Sequence, residues 1–154
     1  MADFDSDGMT AVLVYYWGRP PARFTNRGDW DFAVSDVVET GGSARDWYSN
    51  TAHIADLNGD GLLDVFVGNY FADDTELLNT KSDRRVSMHS SFSRAYNGGM
   101  NRILLQRADA PGEFELAQDI FDQRVGQGWT LASASADLSG DLLPELFVAN
   151  DFGP

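Results

Sequence analysis

Three segments of the chain repeat one pattern of acidic, glycine and apolar residues. They align without a gap and read ADFDSDGMTAVLVYYW (2–17), ADLNGDGLLDVFVGNY (55–70) and ADLSGDLLPELFVAND (136–151). In each copy an alanine precedes the first aspartate, and a short apolar run begins nine positions after that aspartate. A repeat of this kind restricts the chain to architectures that use one small unit several times.

A second pair of segments lies between the acidic copies. Gly28-Asp29-Trp30-Asp31-Phe32-Ala33 matches Gly112-Glu113-Phe114-Glu115-Leu116-Ala117 in the order glycine, acid, aromatic, acid, apolar, alanine. The alternation predicts a half-buried strand that is entered through a glycine turn. Arg27-Gly28-Asp29 therefore reads as a turn between strands rather than as an adhesion tripeptide.

One unit reads as strand, acidic loop, strand, strand, strand. Short antiparallel strands in repeats of this length predict an all-β fold of β-propeller blades, each a four-stranded antiparallel sheet. The chain holds about two blades, too few to close a ring. We divide it into a partial blade at 1–50, a blade at 51–127 with a surface insertion at about 72–100, and the start of a further blade at 128–154. The best helix candidate, 118–125, is short.

The middle acidic loop has the complete pattern of a calcium loop. Its oxygen donors are the side chains of Asp56, Asn58, Asp60 and Asp64 and the main-chain carbonyl of Leu62. Oxygen ligands without nitrogen or sulfur favour Ca²⁺ over transition metals, and their number and flexible spacing favour it over Mg²⁺. An EF-hand needs a bidentate glutamate at position 12 and flanking helices. Position 12 here is Val67, which lies inside a predicted strand, so the loop is not an EF-hand.

The other two acidic loops each depart from the full pattern. The first offers Asp3, Asp5, Asp7 and the carbonyl of Met9, with Ala11 at the ninth position. The third offers Asp137, Ser139, Asp141 and Glu145, with Leu142 in place of the glycine. We expect Ca²⁺ in the first loop, with water completing the shell. For the third, metal binding and a metal-free turn of the same shape both remain open.

At these residues the chain resembles the FG-GAP/VCBS repeat family, whose blades build the head of integrin α subunits. It is most similar to the group that carries an ASPIC/UnbV domain, the cartilage acidic protein group, through ADLNGDGLLDVFVGNY, NRILLQR, GEFELAQD, GWTLASASADL and VANDFGP. The resemblance implies a propeller with loop-bound Ca²⁺, a secreted, periplasmic or cell-surface location, and adhesion or ligand binding without catalysis. It also implies that the chain is a fragment whose partners include the remaining blades of its parent.

Charge and composition reduce the classes of partner that the chain can bind. The net charge of −13 argues against nucleic acid and anionic membranes, and no apolar run is long enough to insert into a bilayer. A protein or carbohydrate ligand remains. His53 and His89 have no spacing that suggests a Ser-His-Asp site. The rival function is an accessory propeller of an enzyme that binds or degrades polysaccharide.

Tryptophans could serve such a sugar site, but blades mostly use aromatic side chains to fill the space between sheets. That is the role we expect here, for Trp17, Trp30, Trp47 and Trp129.

Overall fold

The computed structural model describes residues 1–38, 47–73, 75–84, 86–87 and 93–152. Within these ranges the chain forms three antiparallel sheets and one short helix. The all-β fold expected from the sequence is confirmed. The first sheet contains β1 (Val12–Val14), β2 (Ala22–Asn26) and β3 (Phe32–Asp36); the second β4 (Ser49–Ala55), β5 (Asp64–Asn69), β6 (Arg102–Gln106) and β7 (Phe114–Leu116); the third β8 (Thr130–Ala136) and β9 (Glu145–Asn150); the helix α1 spans Gln123–Gly126.

The second sheet has the order β4-β5-β6-β7, as expected of a propeller blade. Every residue of β5 is buried, because the strand lies inside the sheet and is covered on both faces. Val65, Val67 and Leu104 form the centre of the apolar core, and Phe4 and Phe114 pack edge to face beside them with ring centroids 5.4 Å apart. The apolar run after the acidic loop therefore becomes the central strand of the blade.

The third sheet repeats the first half of the second. β4 pairs with β5, and β8 with β9, and both pairs are interrupted one residue into the first strand. The polar residues at this interruption occupy the same positions in both strand pairs. The Ser49 hydroxyl donates to Asn69 Oδ1 at 2.8 Å, and the Thr130 hydroxyl donates to Asn150 Oδ1 at 3.0 Å. The repeat seen in the sequence is thus a repeat of backbone geometry.

The first sheet corresponds to the last three strands of a blade. Its register corrects one alignment made from the sequence. Phe32 pairs with Asn26 in the first sheet, and Phe114 pairs with Gln106 in the second, so these two phenylalanines are equivalent. Matching Trp30 to Phe114 was wrong, because the hairpin loop at 27–31 is shorter than the one at 107–113. The strand begins at Phe32, and Trp30 lies in the turn before it.

Neighbouring sheets meet along polar and aromatic seams. Between β4 and β8 the Thr51 and Ser133 hydroxyls lie 2.9 Å apart, and His53 Nε2 lies 2.6 Å from the Ser135 hydroxyl. At the end of the sheets remote from the acidic loops, the ring of Trp129 contacts Tyr70, Phe71 and Phe152 edge to face.

Trp47 and Trp129 are buried, as expected of aromatic residues between sheets. Trp17 is partly exposed, and Trp30 is 92% exposed, so the expectation of a packing role was wrong for Trp30.

The predicted insertion lies between β5 and β6. In its described part it contains turns but no strand or helix. It contacts the sheets where the Tyr48 hydroxyl donates to the Thr75 carbonyl and where Trp129 Nε1 donates to Asn97 Oδ1. The helical turn α1 falls at the end of the segment predicted as the best helix candidate. His89, Gly153 and Pro154 lie outside the described residues.

Candidate metal centre

The three acidic loops share one backbone conformation. In each loop the residues at positions four and six have positive φ: Ser6 and Gly8, Gly59 and Gly61, Gly140 and Leu142. This conformation suits glycine, because a Cβ crowds the backbone in the left-handed region. Two residues in the left-handed conformation, separated by one residue, bend the chain back towards the first aspartate of the loop.

The side-chain hydrogen bonds of the loops are shared as well. The first aspartate accepts the N–H of the sixth residue in every loop, at 3.0 Å for Asp3, 2.9 Å for Asp56 and 3.0 Å for Asp137. The fifth residue accepts the N–H of the seventh, at 2.7 Å for Asp7 and 2.8 Å for Asp60, with the same bond at Asp141. Each loop is therefore folded around its own carboxylates.

The first loop brings its carboxylates closest together. One oxygen each of Asp3, Asp5 and Asp7 lies within 4.8 Å of the others, and in the described part of the chain no other group of three acidic or histidine side chains does so. Oxygens at this separation can share one hard cation. This loop, which lacks a ninth-position acid, thus has the most compact carboxylate cluster.

The middle loop holds its donors in a different arrangement. Both oxygens of Asp56 accept main-chain N–H groups, from Gly59 and Gly61. The Asn58 amide donates to Asp60 Oδ2 at 2.9 Å. The structure thus keeps Asp56, Asn58 and Asp60 in one exposed turn, with Leu62 beside them, but it does not gather the three carboxylates of this loop as tightly as those of the first.

Asp64 is the buried member of the middle loop, with no exposed surface. Its carboxylate accepts the N–H of Leu57 at 3.0 Å and that of Gln106 at 2.9 Å. Burial raises the pKa of the Asp64 carboxyl, these two hydrogen bonds lower it, and the charges of Asp60 and Asp56 raise it again, with a net increase. A buried anion next to two other acids is the kind of group that a bound cation stabilises.

Gln106 connects the middle loop to the first. Its main-chain N–H donates to Asp64, and its side-chain Nε2 donates to the Phe4 carbonyl at 2.8 Å. Arg23 makes a second connection between the sheets through an ion pair with Glu113 at 2.9 Å. Neither residue was predicted from the sequence. A contact between a strand residue and a loop of the neighbouring unit produces no periodic pattern in the sequence, so it could not be predicted from it.

The third loop has its ninth-position acid at the surface. Glu145 accepts the Leu138 N–H at 2.7 Å, as Asp64 accepts that of Leu57. This hydrogen bond is the main reason why the pKa of Glu145 is lowered, and the hydrogen bond from Leu143 has the same effect on Asp141. Ser139 and Asp137 lie in the same exposed turn. The residues of all three loops offer only oxygen donors and fit calcium.

We expect the change Leu142→Gly to stabilise the third loop. Leu142 has φ of 71° and is 89% exposed, so its side chain adds strain without packing. Removing that strain raises the free energy of unfolding by about 1 kcal/mol. The measurement is urea denaturation. The matched control Leu138→Gly removes an exposed leucine that has no positive φ, and it lowers stability. If the two variants changed the free energy of unfolding equally, Leu142 would not be strained.

Comparison with known families agrees with this geometry. The family described as FG-GAP-like repeat matches residues 3–67, from the first acidic loop to Val67 in β5. The match covers less than half of the chain. No curated protein and no solved structure gave a significant match. The FG-GAP-like repeat is generally non-catalytic.

The remaining sequence candidates take simple structural places. Gly28 has φ of 86° and lies in the hairpin loop between β2 and β3, which confirms the turn predicted for Arg27-Gly28-Asp29. His53 lies within hydrogen-bonding distance of the Ser135 hydroxyl, a contact that the sequence positions of the two residues did not suggest. Among the described residues no carboxylate hydrogen-bonds to His53, so the pair lacks the orienting acid of a catalytic triad. No helix in the described part of the chain could span a bilayer.

Proposed function

We propose that the chain is a calcium-binding β-propeller repeat segment that acts as a non-catalytic interaction or adhesion scaffold. The observation that carries the proposal is the common geometry of the three acidic loops, each folded around carboxylates at the edge of a sheet. Bound Ca²⁺ would neutralise these carboxylates and hold the loop that joins the first two strands of a blade. The ligands would be Asp3, Asp5, Asp7 and the Met9 carbonyl; Asp56, Asn58, Asp60, Asp64 and the Leu62 carbonyl; and Asp137, Ser139, Asp141 and Glu145.

A structural role for calcium suits an extracellular setting. Calcium sites of extracellular modules have Kd values of about 10⁻⁴ to 10⁻³ M, which match external rather than cytosolic concentrations. We therefore propose a secreted, periplasmic or cell-surface protein related to the ASPIC/UnbV-associated group. Its partner would be a protein or a carbohydrate. The pairing of His53 with Ser135 inside a ladder of hydroxyl groups supports a structural role for this histidine rather than a catalytic one.

Calcium should stabilise the chain in proportion to its binding. At a Ca²⁺ concentration about ten times the Kd, one site raises the free energy of unfolding by about 1.4 kcal/mol. Urea denaturation with calcium and with a chelator measures this difference. Magnesium at the same concentration should give a smaller effect, because Mg²⁺ loses its water less readily.

The variant Asp7→Asn tests the first loop. The amide oxygen can still accept the Met9 N–H, so the turn is kept while one carboxylate of the cluster is lost. We expect the calcium-dependent stabilisation to fall. The control Asp83→Asn makes the same change at an exposed acid outside the loops and leaves it unchanged. If calcium stabilises neither the parent protein nor the control, the loops are turns only and the proposal fails.

A further inference from the structure

The hairpin between β2 and β3 ends in a turn with an unusual sequence. Asp31 donates its N–H to the Gly28 carbonyl at 2.8 Å, and Arg27 donates to the Asp31 carbonyl at 2.9 Å. The two central residues, Asp29 and Trp30, have φ of 49° and 64°. Two positive φ values define a type I′ turn, in which asparagine and glycine are strongly preferred. Tryptophan is a costly choice there, since its Cβ is crowded in the left-handed region.

Trp30 has no packing role that offsets this cost. Its side chain is 92% exposed, and among the described residues no ring or cation lies against it. The first aromatic position of the strand belongs to Phe114, which is buried, in the second sheet and to Phe32, which is half-buried, in the first. A strained and exposed tryptophan at the tip of a hairpin is a feature of a binding site rather than of a core.

The surroundings of the ring indicate what it binds. An open groove of about 360 Å³ beside it is lined by Asn26, Gly28, Asp29, Trp30 and Phe32.

Asp29 and Asp31 are both exposed, and neither forms an ion pair with a described residue. An indole face beside a carboxylate attracts a cation through the ring quadrupole and through a charged hydrogen bond. The net charge of −13 adds long-range attraction for a basic partner.

We propose that the tip of this hairpin is a docking site for an arginine or lysine side chain of a basic protein segment. The cation lies over the Trp30 ring, and Asp29 accepts its hydrogen bonds. Tryptophan and the charged groups next to it carry much of the binding energy in protein interfaces of this type. The site needs no calcium, so it is independent of the acidic loops and of their proposed function.

The test uses a peptide of arginine residues separated by glycine and serine, titrated into the full chain at constant ionic strength. Titration calorimetry measures Kd. The change in tryptophan fluorescence that the parent protein shows and Trp30→Gly lacks reports on Trp30, because the chain contains three other tryptophans. We expect Trp30→Gly to weaken binding about tenfold. Asp29→Asn should weaken it about threefold. Binding should also decrease as salt is added, because two charged groups are paired.

Trp30→Gly separates loss of binding from loss of folding. Glycine relieves the positive φ, so this variant should unfold at a higher urea concentration than the parent while it binds less well. Phe147→Ala, which removes another exposed aromatic ring, and Asp83→Asn, which removes another exposed charge, are the controls and should bind as the parent does.

Three results would overturn the proposal. The parent protein could fail to bind the peptide. Trp30→Gly could bind as tightly as the parent, which would leave only the general attraction of a −13 chain. Binding could be insensitive to salt, and a neutral oligosaccharide such as cellotetraose could bind at the same site. Trp30 would then stack on a sugar ring rather than on a cation.

Discussion

We expect the change Asp64→Ala to lower the free energy of unfolding by about 3 kcal/mol when calcium is present. The buried carboxylate accepts N–H groups from Leu57 and from Gln106, and both donors lose their acceptor in the variant. We expect a smaller loss in the presence of a chelator. Without the cation, burial raises the pKa of Asp64, and removing this poorly solvated charge offsets part of the damage.

The matched control is Glu145→Ala at the equivalent position of the third loop. Glu145 accepts one N–H group, from Leu138, and it lies at the surface, so we expect this change to cost much less than Asp64→Ala. Urea denaturation of both variants in calcium and in chelator gives the four values needed. Equal losses from Asp64→Ala in both conditions would show that no cation is held by the middle loop.

We expect the change Trp129→Ala to have the second large effect, a loss of about 3 to 5 kcal/mol in the free energy of unfolding. Trp129 is 1% exposed, and its ring contacts Tyr70 at 5.1 Å, Phe71 at 5.4 Å and Phe152 at 5.8 Å between centroids. Alanine leaves a cavity where the second and third sheets meet. The packed rings around it cannot close that space without moving the strands.

Trp30→Ala is the control, since it makes the same chemical change at a side chain that is almost fully exposed. Its effect on stability should stay within about 0.5 kcal/mol. Equilibrium urea unfolding of both variants measures the contrast. Similar losses from the two variants would mean that Trp129 does not join the sheets in solution.

The strand pattern could be predicted well because it depends on local signals. The apolar run after each acidic loop marks a buried strand, and β5 and β9 both begin at the ninth position of their loops. The glycines at 28 and 112 mark hairpin turns. Each of these features needs only a few neighbouring residues, so a short stretch of sequence carries the necessary information.

The register of the first hairpin could not be predicted in the same way. Glycine, acid and aromatic residues aligned Trp30 with Phe114, yet the shorter loop makes Phe32 the equivalent residue. A difference of two residues keeps the alternation in step, so both alignments fit a strand equally well. Only the pairing with Asn26 and Gln106 distinguishes them.

The arrangement of the candidate ligands also depended on tertiary contacts. By pattern alone the middle loop is the complete one, but the first loop has its three carboxylates within 4.8 Å of one another. The burial of Asp64 follows from β6, which lies far away in the sequence and supplies the N–H of Gln106. Calcium binding itself stays a prediction for all three loops.

By itself the sequence determined the repeating unit, its antiparallel strands and the oxygen-rich loops between them, because these follow from spacing along the chain. The tertiary structure alone decided which acid is buried, which strands of neighbouring sheets meet, and that one tryptophan is left in solvent. Those outcomes depend on residues brought together from distant parts of the chain, and their contacts have no counterpart in any single segment.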